Sequence, residues 1–184
     1  MPLYDNDRLA NYPIGKLYDC DSLENHQISK LYDNDRLENH LIYTAEETIF
    51  SGVNVETAWT SAGWAGESYT AYSPAYDIDF SYWDTLAITG TVGANKGSGG
   101  DYNRTSIVNV ECSLDGGSSW QLLVTLFDEY LMWETSRSVN VTVDISNITA
   151  KNGKLRMYCK VQNDPTDRTS NGNTYCNDMQ CIAM

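Results

Sequence analysis

Three consecutive copies of one 14-residue unit form the N-terminal part of the chain, and they constrain its fold more than any other feature. The copies are residues 3–16, 17–30 and 31–44, they align without a gap, and seven of the fourteen places are identical in all three. A unit this short cannot bury its own apolar side chains, so neighbouring copies or other chains must cover them.

The unit length is twice seven, which raises the question of a coiled coil. The shared apolar places, followed from Leu3 to Leu17, are separated by 6, 5 and 3 residues, whereas a coiled coil needs spacings of three and four. We instead predict a short helical turn over the Arg-Leu-Glu-Asn part of each copy, capped by Asp5, Asp19 or Asp33. A bend near the tenth to thirteenth places completes the predicted unit.

The predicted role of the repeats is oligomerisation, most simply as a homotrimeric stalk, or attachment by ordering on a partner. The apolar residues expected to carry it are Leu3, Leu9, Ile14, Leu17, Leu23, Ile28, Leu31, Leu37 and Ile42. The Asp-x-Asp pairs offer too few oxygen donors for a calcium loop, so helix capping is the preferred interpretation and no cofactor is predicted. His26 and His40 occupy one place in the unit, and Tyr12 fills it in the first copy, which indicates packing.

From Ala45 onward the apolar period changes to two, which predicts β-strands. One face of each strand is apolar, and the turns between them are rich in Gly and Asn, so we expect a mostly β domain over residues 45–184, an antiparallel jelly-roll β-sandwich. The predicted strands are Thr48–Val53, Asp77–Tyr82, Thr85–Val92, Ser106–Leu114, Trp120–Leu126, Ser138–Ile145, Lys154–Val161 and Tyr175–Ala183.

The five cysteines lack the spacing of a zinc site, and free thiols are expected. Cys112 and Cys159 fall on the apolar phase of their strands, which favours core packing. A Cys176–Cys181 or a Cys112–Cys159 disulfide is the alternative.

Residues 113–120 read Ser-Leu-Asp-Gly-Gly-Ser-Ser-Trp and resemble the Asp-box hairpins of sialidases and many secreted or viral β-domains. The resemblance implies a structural role for Ser113, Asp115, Gly117 and Trp120, because the box supplies no catalytic group in those families. The stretch from Asp79 to Ala183 is similar to galactose-binding-like carbohydrate-binding modules, through Phe80–Asp84, this hairpin, residues 143–146 and the last strand.

An aromatic segment, Trp59 to Tyr76, is predicted to be a loop or irregular edge that either contacts a ligand or covers the core. Two long polar segments, Ala94–Asn103 and Asn163–Asn173, are predicted to be tip loops that present binding groups, Asp167 among them. The candidate ligand-binding residues are Trp59, Trp64, Tyr69, Tyr72, Asp101, Tyr102 and Arg168.

The chain carries 25 acidic and 12 basic residues, a net charge of −13, which disfavours binding to nucleic acid or to an anionic membrane surface. No leader or membrane-spanning run is recognised, so a protein that is made in the cytosol and stays soluble is expected. Neither a Ser-His-Asp or Cys-His arrangement nor a phosphate loop is present, so we expect a protein that is not an enzyme.

Repeats followed by an acidic β-sandwich resemble the architecture of tailed-phage virion fibre and head-decoration proteins. That resemblance implies attachment to other virion proteins through the repeats, and adhesion to host glycans through the sandwich. It also implies a protein that stays in the host cytoplasm until lysis. A free-standing carbohydrate-binding module and a polysaccharide-degrading hydrolase are the alternatives.

Overall fold

The computed structural model describes residues 46–60, 65–97, 104–131, 133–166 and 171–184, and the backbone of four short strands among residues 3–44. The chain divides into two compact units, Met1–Glu46 and Glu47–Met184. Within the described residues, no helix has the length and apolar character needed to cross a membrane.

In the N-terminal unit, the first and third repeat copies each form a two-stranded antiparallel hairpin. Strand β1 (Leu3–Asp5) pairs with β2 (Tyr12–Ile14), and β3 (Lys30–Asp33) pairs with β4 (His40–Thr44). The start of the first copy pairs with its own tenth to twelfth places, as in the register Leu3 to Ile14. The start of the third copy, together with Lys30 before it, pairs with its tenth to fourteenth places.

The hairpins correct part of the predicted repeat structure. The predicted bend at the tenth to thirteenth places is wrong in these two copies, because those places belong to β2 and β4. Asp5 and Asp33 are the last residues of β1 and β3, and the turns that they are predicted to cap lie outside the described residues. Asp19 and the Arg-Leu-Glu-Asn parts lie outside the described residues, as do Leu9, Leu17, Leu23, Ile28 and Leu37.

The second unit is an antiparallel β-sandwich, as predicted. Its strands are β5 (Glu47–Glu56), β6 (Ser68–Tyr72), β7 (Tyr76–Ile78), β8 (Thr85–Lys96), β9 (Arg104–Ser113), β10 (Gln121–Leu131), β11 (Thr135–Asp144), β12 (Gly153–Asn163) and β13 (Gly172–Ala183). One sheet has the order β10-β9-β12-β6, with β7 also paired to β12, and the other has the order β11-β8-β13-β5. Most consecutive strands lie in opposite sheets, which gives the jelly-roll connectivity.

The core lies between the sheets and is filled from alternate strand positions. On β12, Leu155, Met157, Cys159 and Val161 are fully buried, and the residues between them point outward. Valines and Cys112 on β9 and Leu86 and Ile88 on β8 complete the apolar interior. The alternation of the sequence therefore places the outward residues of β12 on the exposed surface of the five-stranded sheet.

The described cysteines are free and buried, in agreement with the predicted thiols. Cys112 and Cys159 pack in the core as expected, and neither predicted disulfide alternative is formed. The sulfur of Cys159 instead lies 3.8 Å from that of Cys176, in the opposite sheet. Burial raises the pKa of Cys181 to about 12, so this thiol stays protonated at neutral pH. Cys20 lies outside the described residues.

Two local predictions need correction. The strand predicted over Asp77–Tyr82 ends at Ile78, because the Asp79 side chain accepts a hydrogen bond from Ser81 N and caps a short 3-10 helix, Phe80–Tyr82. The aromatic segment, predicted as a loop or irregular edge, contains β6 and begins β7, which form an interrupted edge of the five-stranded sheet. Leu114, predicted on the inward phase of its strand, lies beyond the end of β9 and is exposed.

Candidate functional site

The outer surface of the five-stranded sheet carries a group of aromatic side chains around one arginine. We call this surface the aromatic face and define it by Tyr72, Trp120, Arg156 and Tyr158. Tyr72 on β6 and Tyr158 on β12 are register partners, and their ring centroids are 5.4 Å apart. Tyr72 is 48% exposed, so its ring is accessible to a ligand.

Arg156 lies between two of these rings. Its guanidinium carbon is 4.1 Å from the Tyr72 ring centroid and 4.0 Å from the Trp120 ring centroid. The same guanidinium makes an ion pair with Glu111, at 2.7 Å from Nη2 to Oε2. Cation–π contacts of this kind contribute about 0.5–1 kcal/mol at exposed sites, so the stack fixes the orientation of the rings more than it stabilises the fold.

Polar side chains surround the rings on the same face. Register pairing places Asn109 of β9 beside Tyr158 of β12, and Thr125 of β10 beside Asn109. Lys160 pairs with Thr70 one step further along the sheet. The face therefore combines flat apolar rings with amide, hydroxyl and ammonium groups, a mixture that suits a ligand with both apolar and hydroxylated surfaces.

The Asp-box hairpin between β9 and β10 carries Trp120 to this face. The Asp115 carboxylate accepts hydrogen bonds from Ser113 Oγ at 2.7 Å, and from the backbone N and the hydroxyl of Ser119 at 2.9 and 2.6 Å. Gly117 N donates to Ser113 Oγ at 2.7 Å, and Gly117 has a φ of 101°, which suits glycine. The hairpin thus holds Trp120 against Arg156.

Asp115→Ala is expected to loosen this hairpin and to flatten the acid dependence of stability. Hydrogen bonds from Ser119 and Ser113 lower the pKa of the Asp115 carboxyl, so its contribution is present above the unfolded value of about 3.9 and is lost as the pH falls below that value. Urea unfolding between pH 7 and pH 2 measures the free energy of unfolding of both proteins. Asp128→Ala, which removes an exposed aspartate on β10, is the control. An Asp115→Ala variant whose stability depends on pH as that of the wild type does would contradict the assignment.

Three of the predicted ligand-binding residues, Trp59, Tyr69 and Tyr72, lie in the described ranges, and these three are not brought together. Tyr69 and Tyr72 are three positions apart on β6 and therefore lie on opposite faces of the strand. Tyr69 donates to Glu67 at 2.7 Å, which raises the pKa of its hydroxyl. Trp59 follows β5, which belongs to the other sheet. The next residue, Thr60, donates its backbone N to Gly172 O on β13. Trp64, Asp101, Tyr102 and Arg168 lie outside the described residues, so of the predicted set only Tyr72 belongs to the aromatic face.

The sequence prediction did not assign Arg156 or Tyr158 to a site, and it gave Trp120 only a structural role. A signal for the β12 residues was present, because the apolar alternation of β12 already placed Arg156 and Tyr158 opposite the core. What was missing was the pairing of β12 with β6, which joins segments far apart in sequence.

No protein-family model and no curated protein matches this chain. Among solved structures, one of the infectious bursal disease virus Gx strain is similar at a TM-score of 0.44 and 12% identity, over 97% of this chain and 44% of that one. The chain spans less than half of the length of this viral chain and of its Gt-strain counterpart.

Two carbohydrate-binding module structures are also similar to the chain. A CBM4 module has a TM-score of 0.31 and 12% identity, over 68% of this chain and 94% of that one. The CBM22-1–GH10 modules of Clostridium thermocellum xylanase 10B have a TM-score of 0.31 and 11% identity, over 74% of this chain and 28% of that one. At these identities the similarity concerns the β-fold alone.

Proposed function

We propose that the β-sandwich is a glycan-binding module and that its ligand lies on the aromatic face. The observation that carries the proposal is the exposed Tyr72 ring, held by the Arg156 stack beside Tyr158. The C–H faces of a sugar ring are apolar and its edges carry hydroxyls, so rings that are already oriented bind it with little loss of conformational freedom.

Charge and hydrogen bonding on this face support a sugar over a charged macromolecule. Arg156 is already paired with Glu111, so its charge is partly neutralised, while Asn109, Thr125 and Thr70 offer neutral hydrogen-bonding groups next to the rings. The chain as a whole is acidic, with a net charge of −13, which opposes polyanions such as nucleic acids.

The repeats give the proposal its setting, a virion fibre or decoration protein. Three copies of a 14-residue unit precede the sandwich, and we propose that they join several chains, as a homotrimer, and attach them to other virion proteins. A single glycan site of modest affinity gains strength when several copies bind one surface together. The proposed function is therefore multivalent adhesion of a virion to host-surface glycans.

A glycan array probed with the intact protein, followed by titration of the best ligand, tests the binding proposal. Tyr72→Ala is expected to weaken binding at least about tenfold, the size of effect usual for an aromatic anchor at a binding surface. Arg156→Ala is expected to weaken it as well, because both flanking rings lose their support.

The matched control is Tyr82→Ala, which removes a ring of similar exposure, 42%, from the short 3-10 helix. Equal affinity of the wild type and Tyr72→Ala would reject the aromatic face as the site, and binding to no glycan would reject the function. Release of reducing ends from any bound polysaccharide would reverse the assignment from adhesion to hydrolysis.

A further inference from the structure

Two buried cysteines face each other across the core of the sandwich. Cys159 is an inward residue of β12, in the five-stranded sheet, and Cys176 is an inward residue of β13, in the four-stranded sheet. Both are fully buried, and their sulfurs are 3.8 Å apart. Within the described ranges, the buried thiols of Cys112 and Cys181 make no such contact. The fold therefore selects one pair among the described thiols.

The strands that carry this pair approach each other closely. Cα atoms of β12 and β13 come within 8 Å, whereas packed sheets usually lie about 10 Å apart. A disulfide has an S–S distance of about 2.05 Å and joins Cα atoms about 4.4–6.8 Å apart. The sulfurs of Cys159 and Cys176 therefore have less than about 2 Å to travel, a displacement that rotation of the two side chains supplies.

A hydrogen bond already joins the two thiols and makes them unequal. The Cys159 thiol donates to the sulfur of Cys176. This bond lowers the pKa of Cys176, and it raises the pKa of Cys159 together with burial. Cys176 is therefore the first of the two to become a thiolate, which is the form that attacks a disulfide.

We propose that Cys159 and Cys176 form a disulfide between the two sheets when the chain folds in the presence of a disulfide oxidant such as oxidised glutathione. The Cys176 thiolate attacks one sulfur of the oxidant and displaces the first glutathione thiolate. The Cys159 thiolate then attacks the Cys176 sulfur and displaces the second. The chain gives up two protons and two electrons, which convert one oxidised glutathione into two molecules of glutathione.

Folding is the stage at which the bond forms, because neither sulfur is accessible once the sandwich has closed. The bond encloses the predicted tip segment Asn163–Asn173, and closing a loop of this length restricts the unfolded chain. A sandwich that folds in an oxidising medium is thus locked across its core, whereas one that folds in a reducing medium keeps free thiols. The lock does not involve the aromatic face, so it stands or fails apart from glycan binding.

Refolding from urea with either reduced or oxidised glutathione tests the proposal. The parent protein is the intact chain with Cys20→Asn, because Asn fills this place in the other two repeat copies and no thiol of the repeats then competes. Oxidative refolding is expected to lower the mass by two hydrogen atoms. Digestion with trypsin, and with a protease that cleaves before Asp178 and so separates Cys176 from Cys181, is expected to yield a peptide pair linked through Cys159 and Cys176.

The oxidised parent is expected to unfold at a Tm about 10 °C above that of the reduced parent. Cys176→Ala is expected to lose both the bond and this gain. Cys181→Ala is the matched control, since it removes a buried thiol with no sulfur neighbour in the described ranges, and it is expected to keep both.

The peptide map of the parent decides the outcome even if a variant fails to fold. Absence of a bond after oxidative refolding, or a bond that joins a different pair such as Cys176 and Cys181, would overturn the proposal. A bond between Cys159 and Cys176 without a rise in Tm would overturn its role as a lock.

Discussion

A chain that begins at Glu47 is expected to be monomeric in solution, whereas the intact chain is expected to form an oligomer, most simply of three chains. The reason lies in the repeats, because each 14-residue unit is too small to bury its own apolar residues and must be covered by others. The sandwich needs no such cover, since it has its own core between two sheets. Light scattering coupled to size-exclusion chromatography measures both masses.

The same shortening is expected to weaken adhesion to a glycan-coated surface by about 10²–10⁴-fold while leaving the affinity for a soluble monovalent glycan unchanged. This comparison separates the contribution of the repeats from that of the aromatic face. Equal masses near one chain for both proteins would contradict the oligomeric role, and an oligomeric sandwich would make the repeats an attachment arm instead.

Phe80→Ala is expected to destabilise the sandwich strongly, with a loss of about 3–5 kcal/mol in the free energy of unfolding. Phe80 is 1% exposed, and its ring lies so close to Gly153 of β12 that a side-chain carbon there would come within 2.3 Å of it. Its backbone N also donates to Ala150 O at 3.0 Å. The ring therefore anchors the link between β7 and β8 to the start of β12.

Urea unfolding of the Glu47–Met184 chain and of its Phe80→Ala variant measures this loss. Tyr82→Ala, on the same short helix but exposed, is the control and is expected to change stability by less than about 0.5 kcal/mol. A similar small change for Phe80→Ala would show that the ring has no anchoring role.

The regular strands were predictable from the sequence because their side chains alternate between a buried and an exposed surface. The run from Leu155 to Val161 shows this, with every second residue buried. β6 was missed because it is an edge strand with little burial and has a Tyr on each of its faces. Its sequence therefore shows no clear alternation between apolar and polar residues. The hairpins of the repeats were missed because Asp residues near strand ends resemble helix caps.

The aromatic face was not predictable as a site, because its members come from separate segments that only the sheet pairing brings together. Tyr72 and Arg156 are far apart in the sequence and adjacent in space. The buried position of Arg104 was equally hidden, since Arg104 precedes the predicted strand Ser106–Leu114 and an arginine outside a strand is normally solvated. Both features depend on long-range register.

The edges of the sandwich limit how copies of it associate. β6 and β7 occupy one edge of the five-stranded sheet and are separated at Ser73 and Pro74, and the opposite edge, β10, has two register shifts. β5, an edge of the other sheet, is irregular as well. Broken and bulged edges do not template further strands. These three edges therefore disfavour pairing between the sheets of neighbouring molecules, whereas β11, the fourth edge, pairs with β8 in an unbroken register.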